Sequence, residues 1–289
     1  MIRNKGTLLQ ASQAMRWNPD DIHVIIRSVG ERTEEACRHS ILRQGIPDFH
    51  IETIRVSPFH QAQRICCETA IKVGCTWSIF IDADIILFDG AFESAFHRAL
   101  GQNHPNLYGF QPFTYDKFRI ESNTGGPHIY LTKHLSDALN CIPGPESNRP
   151  ESTMNKTIIR KKNLVMLWLD VAAGHHGSHQ YFRDILRTHF HKGLKHPMDF
   201  VSKHEKLFMS KCSTDNDYFM ALAGIRLGSL YKGSGGVSTQ VMDSFYSVIA
   251  EKPPNLDLAG LVTSMQFRSS TPPPPLSVIS KSSLNGSQK

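Results

Sequence analysis

The sequence predicts an α/β protein with a mostly parallel central sheet and helices on both faces of that sheet. Two observations indicate this fold. Short apolar runs alternate with longer amphipathic segments between residues 22 and 115, in the order β-α-β-α-β-α-β, which implies parallel strands joined by right-handed crossovers. The third apolar run ends in the sequence Asp82-Ala83-Asp84, at the carboxyl end of a strand, where sheets of this kind bind their ligands.

The first strand and helix have clear sequence signals. HVIIRSV (23–29) is apolar and β-branched and follows the turn-like segment NPDD, which predicts a buried strand. ERTEEACRHSILRQ (31–44) follows as a helix, since its acidic first turns suit the helix dipole and Gly45 and Pro47 end it.

The other elements of this half alternate in the same way. The patterns predict strands over 51–57, 77–87 and 108–115, a helix over 60–73 that Gly74 caps, and a helix over about 90–100.

The second half is less regular. Residues 143–153 form a Pro- and Ser-rich loop of the kind found in lids and linkers, and residues 157–171 contain strand-like runs with a basic turn. Amphipathic patterns predict helices over 178–190 and 216–228. We expect one domain over 1–250 and a Pro/Ser-rich tail over 251–289 that is disordered from about 268.

Composition excludes several classes of protein. The 289 residues include six cysteines and no C-x-x-C pair, so the sequence predicts no zinc or disulfide framework, and scattered thiols suggest a reducing compartment. No apolar run is long enough to span a membrane and no signal peptide is evident, so we expect a cytoplasmic protein, with peripheral membrane contact left open. The net charge of +6 suits an anionic partner, but no nucleic-acid-binding motif is present.

Asp82 and Asp84 are the strongest chemical signal. On one strand, residues i and i+2 point to the same side, where two carboxylates repel each other unless a cation lies between them. Oxygen ligands suit Mg²⁺ or Mn²⁺, which in turn bind phosphate oxygens. The alternative is a strand that ends in solvent with its aspartates free or capping a helix.

One stretch of the sequence resembles a known family. HQAQRICCETAIKVGCTWSIFIDADIILFDGAF resembles the central part of nucleotide-sugar glycosyltransferases with the GT-A fold, especially those related to glycosyltransferase family 2. VIIRSVGER resembles the first strand of that family. The resemblance covers residues 22–130 well and 170–230 loosely. It implies a nucleotide-sugar-binding half (1–125) and a smaller half that binds the acceptor and completes the metal site (126–250).

The resemblance implies a metal-dependent glycosyltransferase that moves a sugar from a nucleotide-diphosphate sugar to a hydroxyl of a glycan, lipid-linked or small-molecule acceptor. Asp82 and Asp84 would ligate Mn²⁺ or Mg²⁺ on the diphosphate. The residues expected near the nucleotide are Arg27, Ser28, Glu31 and Arg64, together with Asp82.

The second half supplies further candidates. In AGHHGSHQ (173–180), His176 or His175 would complete the metal shell from a Gly-flanked loop. In HFHKGLKHP (189–197), basic residues would fold over the diphosphate as the end of a closing loop. These basic candidates are Lys192 and Lys195, with His196, and the residues expected to line the acceptor pocket are His128 and Tyr130.

The expected catalytic base is not obvious. Many inverting members of the family carry a Glu-Asp pair, and this chain contains no Glu-Asp dipeptide. Asp170 and Asp217 are base candidates, as are Glu146 and Glu151, although helix capping is the favoured interpretation of the segment STDND (213–217). Inversion and retention both stay open.

Two alternatives compete with a glycosyltransferase. One is a GT-A-like protein that binds nucleotide sugars without catalysis. The other is a haloacid-dehalogenase-like phosphatase with Asp82 as nucleophile, although that motif normally follows a first strand and continues differently.

Overall fold

A computed structural model gives the fold of the chain. It describes residues 17–119, 123–147 and 149–231, together with residues 243, 246 and 247. The predicted tail over 251–289 lies outside the described residues. No helix in the described part is both long enough and apolar enough to cross a bilayer.

The described residues form strands and helices in alternation. The strands are β1 (Ile22–Arg27), β2 (Ile51–Ile54), β3 (Trp77–Asp82), β4 (Ile85–Leu87), β5 (Leu107–Asp116), β6 (Asn123–Gly125), β7 (His128–Leu131) and β8 (Val165–His176). The helices are α1 (Glu34–Leu42), α2 (Phe59–Val73), α3 (Ala91–Leu100), α4 (Leu135–Leu139), α5 (Pro150–Lys162), α6 (Phe182–Lys195), α7 (Met198–Lys211) and α8 (Asn216–Leu230).

One sheet joins these strands in the order β2-β1-β3-β7-β5-β8-β4, and β6 pairs with β5. β1 is parallel to both β2 and β3, and β5 is parallel to β8. β7 lies antiparallel between β3 and β5, and β4 is antiparallel to the end of β8. The predicted α/β fold is therefore confirmed, and the parallel strands β1 to β3 bring Arg27 and Asp82 to the same edge.

Helices cover both faces of the sheet, as predicted. On one face, α1 and α3 bury Ile41 and Phe96 against β1, β3 and β5. On the other, α2, α4 and α5 bury Cys66, Met154 and Ile158 against Phe80 and its neighbours. A further cluster, from α6, α7 and α8, packs around Phe190 and Phe118. The packing of helices against each face of the sheet removes apolar surface from water, which is the main driving force of folding.

The predicted strand over 77–87 is wrong in one respect that affects the site. It is two strands, β3 and β4, separated by a turn at Ala83 and Asp84. The pairing of β3 with β1 ends where the Ala83 amide donates to the Arg27 carbonyl. The next residues, in β4, pair instead with β8, and the change of partner requires the turn. Asp82 and Asp84 therefore do not share one face of a continuous strand.

Three loop or strand predictions in the second half are corrected. Residues 150–162 are helical, because Met154 and Ile158 recur at a spacing of four and face the core; the left-handed Asn163 ends the helix. The predicted closing loop over 189–197 is mostly the end of α6. The predicted Gly-flanked loop over 173–180 begins as the last residues of β8.

The aromatic cluster beneath β3 gives a test of the core. Phe96 is fully buried, and the centroid of its ring lies 5.1 Å from that of Trp77 and 5.0 Å from that of Phe110. We expect Phe96→Ala to lower the free energy of unfolding by about 3–5 kcal/mol, because it leaves a cavity. Urea denaturation measures this loss. Phe49→Ala is the matched control, since Phe49 is 81% exposed, and an equal loss in the two variants would contradict the assignment.

Candidate active site

Arg27 is the centre of the site at the carboxyl ends of β1 and β3. Its side chain is only 7% exposed and lies over the ring of Phe59. Its Nε donates to Asp82 Oδ1 at 2.8 Å, and its Nη1 donates to Gln63 Oε1 and Glu151 Oε2, each at 2.9 Å. Asp82 and Glu151 raise the pKa of the Arg27 guanidinium further despite its burial. Arg27 is therefore a fixed positive charge that joins β1, β3, α2 and α5.

Glu151 connects Arg27 to the polar residues of β7. Its Oε1 accepts from the Tyr130 hydroxyl at 2.9 Å, and its Oε2 lies 3.3 Å from His128 Nδ1. Asn155 donates to the Tyr130 oxygen at 3.1 Å and accepts from Tyr108 at the same distance. Burial opposes ionisation of Glu151, but Arg27 and His128 lower its pKa, so it is a paired, buried carboxylate.

Asp84 lies in a second group of charges. Its Oδ2 is 3.4 Å from His176 Nε2, and His176 Nδ1 is 3.4 Å from Asp116 Oδ2. Lys192 approaches the same Asp116 oxygen, also at 3.4 Å. The turn between β3 and β4, the ends of β5 and β8, and α6 thus bring these four side chains together from distant parts of the sequence.

The ionisation of this group follows from burial and charge. Burial raises the pKa of Asp84. Burial opposes protonation of His176, but Asp84 and Asp116 raise its pKa to about 9. Lys192 and His176 hold the pKa of Asp116 far below its usual range, although burial opposes this. A protonated His176 therefore offsets the negative charge of the two carboxylates.

Two buried atoms in this group have no hydrogen-bond partner in the described structure, Asp84 Oδ1 and His176 Nδ1. A buried polar atom without a partner is costly. Among the described residues, however, no three His, Cys, Asp or Glu side chains are arranged to hold a metal ion. Asp82 is instead turned toward Arg27, with 44% of its side chain exposed.

A third group follows β1. Ser28 Oγ is 2.8 Å from Glu31 Oε2, which also accepts from the Val29 amide at 2.7 Å. Arg187 of α6 lies 3.5 Å from Glu31 Oε1. Two of the predicted nucleotide-binding residues, Ser28 and Glu31, therefore lie together just after Arg27 in the chain, and Arg187 of α6 contacts Glu31.

The structure selects between the two histidines of β8. His176 faces Asp84, whereas His175 is exposed and its ring packs 5.0 Å from Phe88. Neighbouring residues on a strand point to opposite faces, so only one of the pair reaches the site.

Other predicted residues lie outside these groups. Arg64 is on the exposed side of α2, while its neighbour Gln63 is buried against Arg27. Lys195 is exposed at the end of α6. His196 is bonded to Arg149 at 3.1 Å.

The two leading base candidates are not brought to the site. Asp170 is exposed on β8, and Asp217 pairs with Lys117 at 2.7 Å in the first turn of α8. The segment does cap that helix, but the capping residue is Asp215, which accepts from the Asp217 amide, and not Ser213 or Thr214 as expected. Glu146 is exposed in the loop before α5, so Glu151 is the one carboxylate of the four that contacts Arg27.

The sequence interpretation missed Asp116, Gln63 and Arg187. Asp116 ends β5 as Asp82 ends β3, so its place at a strand end was a usable signal. Gln63 and Arg187 lie on helices, and no local pattern distinguishes them from ordinary surface residues.

Comparison with solved structures finds distant structural similarity. No family model and no curated protein matches the chain. The mannosyltransferase PcManGT from Pyrobaculum calidifontis, solved with GDP-Man and Mn²⁺, is 11% identical with a TM-score of 0.40, covering 91% of this chain and 92% of that one. A glycosyltransferase involved in glycosylation of the major capsid of PBCV-1 is 10% identical with a TM-score of 0.35, covering 52% and 81%.

A cytidylyltransferase from Leptospira borgpetersenii is 10% identical with a TM-score of 0.37, covering 61% of this chain and 86% of that one. Similarity this distant does not transfer an activity to this chain.

Removing Arg27 tests the charge balance of the site. We expect Arg27→Met to lower the free energy of unfolding by about 3–5 kcal/mol, because it leaves Glu151 buried without its cation. Urea denaturation measures the loss, and adding Glu151→Gln to the same chain should recover part of it. Arg43→Met removes an exposed pair with Asp89 and should cost less than about 1 kcal/mol. Equal losses in the two single variants would contradict this account.

Proposed function

We propose that this protein is a nucleotide-sugar glycosyltransferase with a GT-A fold, in which Asp82, Asp84 and His176 hold a divalent cation on the donor diphosphate. The observation that supports it most is the buried, unpartnered Oδ1 of Asp84, beside His176 and directly after β3. The resemblance of residues 22–130 to that family gives the site its interpretation.

The chemistry of the donors fits a divalent cation. Asp84 offers a carboxylate oxygen that lacks a partner, and His176 offers an imidazole nitrogen, a combination that suits Mn²⁺ better than Mg²⁺. Coordination requires a neutral imidazole, so the proton that His176 carries would be released on binding. Ions of this kind commonly take one or two protein carboxylates and complete their shell with water and substrate phosphates.

When bound, such an ion acts as a Lewis acid that stabilises the charge on the departing nucleoside diphosphate. The residues of the chain would supply the rest of the donor site. Arg27 holds Asp82 in place, and Lys192 adds a positive charge beside Asp116. Ser28 and Glu31 would contact the nucleotide after β1; Arg64 and Lys195, both exposed, would contact the donor only from the periphery.

We propose that residues of β7 and α5 form the acceptor pocket. His128 and Tyr130 lie next to Glu151, on the same side of the sheet as Arg27, and would line the pocket for the acceptor hydroxyl. Asp170 and Asp217 are poor bases in this arrangement, since one is exposed on β8 and the other is paired with Lys117. The proposal covers inverting and retaining chemistry alike.

Two alternatives give different experimental results. A non-catalytic nucleotide-sugar-binding protein would bind the donor with metal but would not hydrolyse it. A phosphatase would use Asp82 as a nucleophile and form a phospho-aspartate there, whereas a glycosyltransferase would not. The structure does not favour a nucleophile at this position, because Asp82 Oδ1 accepts a hydrogen bond from the buried Arg27.

Nucleotide binding tests the donor class. We expect one of UDP, GDP, CDP and TDP to raise the melting temperature only when Mn²⁺ is present, because ligands stabilise the native state they bind. At a hundredfold excess over the dissociation constant the gain is about 2.7 kcal/mol. Differential scanning fluorimetry measures the shift, and the absence of a metal-dependent shift with all four nucleotides would refute the proposal.

Substitution of the proposed ligands tests the metal site. Asp84→Asn and His176→Gln should each weaken metal-dependent nucleotide binding by more than about tenfold, since loss of even an outer-shell partner costs 10–100-fold. Isothermal titration calorimetry with Mn²⁺ measures the change. Asp137→Asn and His97→Gln, both on exposed helix surfaces, are the controls. Wild-type affinity in Asp84→Asn would remove Asp84 from the site.

A further inference from the structure

His128 has one ring nitrogen fixed and the other free. Nδ1 lies 3.3 Å from the buried Glu151 carboxylate, and the ring stacks on Tyr130 at a centroid distance of 5.7 Å and an angle of 6°. Nε2 makes no hydrogen bond to any described residue, and it is not one of the buried atoms without a partner. The His128 side chain keeps 17% of its surface exposed, so the ring is accessible while Glu151 and Tyr130 hold it in place.

The surroundings set the position of the ring proton. A lone pair on Nδ1 would face the ionised Glu151 oxygen and be repelled, so the proton lies on Nδ1 and is donated to Glu151. The Gln111 amide is farther away, at 3.5 Å, and donates to the Gly126 carbonyl at 2.6 Å instead. Nε2 consequently carries a lone pair that can accept a proton.

The charged groups around His128 keep it neutral. Burial lowers the pKa of His128; Glu151 on α5 and Asp82 on β3 raise it, and Arg27 on β1 lowers it further, with a net decrease. At neutral pH the ring is therefore an unprotonated base, and the Glu151 carboxylate is placed to stabilise the imidazolium that would form.

The position of His128 relates it to the donor site. His128 pairs with Phe80 across the β3–β7 ladder, two residues before Asp82. Arg27 binds both Asp82 and Glu151, so one guanidinium links the proposed metal ligand to the carboxylate that holds the histidine.

We propose, on the basis of the proposed function, that His128 Nε2 is the base that activates the acceptor hydroxyl, with Glu151 as its positioning residue. In the step, the acceptor O–H bond breaks and its proton moves to Nε2. The oxygen forms a bond to the anomeric carbon with the electron pair it keeps. The bond from that carbon to the diphosphate oxygen breaks, and its electron pair leaves with the nucleoside diphosphate. The proton passes afterwards to solvent.

Glu151 is less suited to accept the proton itself. Its two oxygens already receive hydrogen bonds from Arg27, Tyr130 and His128, and these donors lower its pKa. A carboxylate in that position orients the imidazole, in the way that a buried carboxylate orients the histidine of a catalytic triad.

Donor hydrolysis by the 289-residue chain tests this role, with water as the acceptor. UDP-glucose, GDP-mannose, CDP-glucose and TDP-glucose are each incubated with Mn²⁺, and the release of nucleoside diphosphate gives kcat. His128→Gln should lower kcat by about 10²–10⁴-fold, the usual contribution of a general base. Metal-dependent nucleotide binding should stay unchanged, and added imidazole should restore part of the activity of His128→Ala. His97→Gln is the matched control on an exposed helix.

The outcomes separate this proposal from the proposed function. Wild-type kcat in His128→Gln would overturn the role of His128 alone. Donor binding with Mn²⁺ but no hydrolysis by the wild-type protein would overturn the base and leave the binding site standing. The absence of metal-dependent binding would overturn the proposed function itself.

A second measurement does not depend on activity. Nitrogen NMR of the histidine rings should show His128 of the wild-type protein neutral and protonated on Nδ1 at neutral pH, and Glu151→Gln should change that tautomer population. A His128 protonated on Nε2 would overturn the proposal.

Discussion

The structure of the site depends on one buried cation. A guanidinium cannot lose its proton inside a protein, so the chain must supply negative charge wherever Arg27 is buried. It does so from two directions, with Asp82 from the adjoining parallel strand and Glu151 from a helix that follows β7. Asp82 and Glu151 both turn toward this one charge, and Glu151 in turn contacts the ring of His128.

The second group of charges, around Asp84 and Asp116, is neutralised in a different way. Asp84 and Asp116 both face His176, and Asp116 also faces the ammonium of Lys192, in contacts of 3.4 Å that are longer than those of Arg27. One group is thus held by short hydrogen bonds, while the other has contacts of 3.4 Å and unpartnered atoms. The first group suits a structural framework, and the second suits a place where a ligand completes the interactions.

The sequence predicted those parts of the protein that depend on local pattern. The order of strands and helices through Asp116 could be read from periodicity, and Asp82 stood out because a carboxylate follows a buried run. The break at Ala83 could not be read, because it depends on a hydrogen bond to Arg27 and on the pairing of β4 with β8. Residues 157–162 were misjudged since Ile158 and Ile159 favour strands in isolation, and tertiary packing makes them helical. Asp116, Gln63 and the choice of His176 over His175 required the fold.

The position of β7 has a consequence for how the chain matures during synthesis. β3 and β5 are both made before β7, yet β7 is the strand that lies between them and pairs with each. When the nascent chain has been synthesised as far as Asp116, it contains β3 and β5. It does not yet contain β7, the strand that lies between them. β1, β2 and β3 can pair early, but β4 must wait for β8, so the edge that carries Asp82 and Asp84 becomes enclosed only after β8 reaches His176. Completion of the site is thus a late, long-range event in folding.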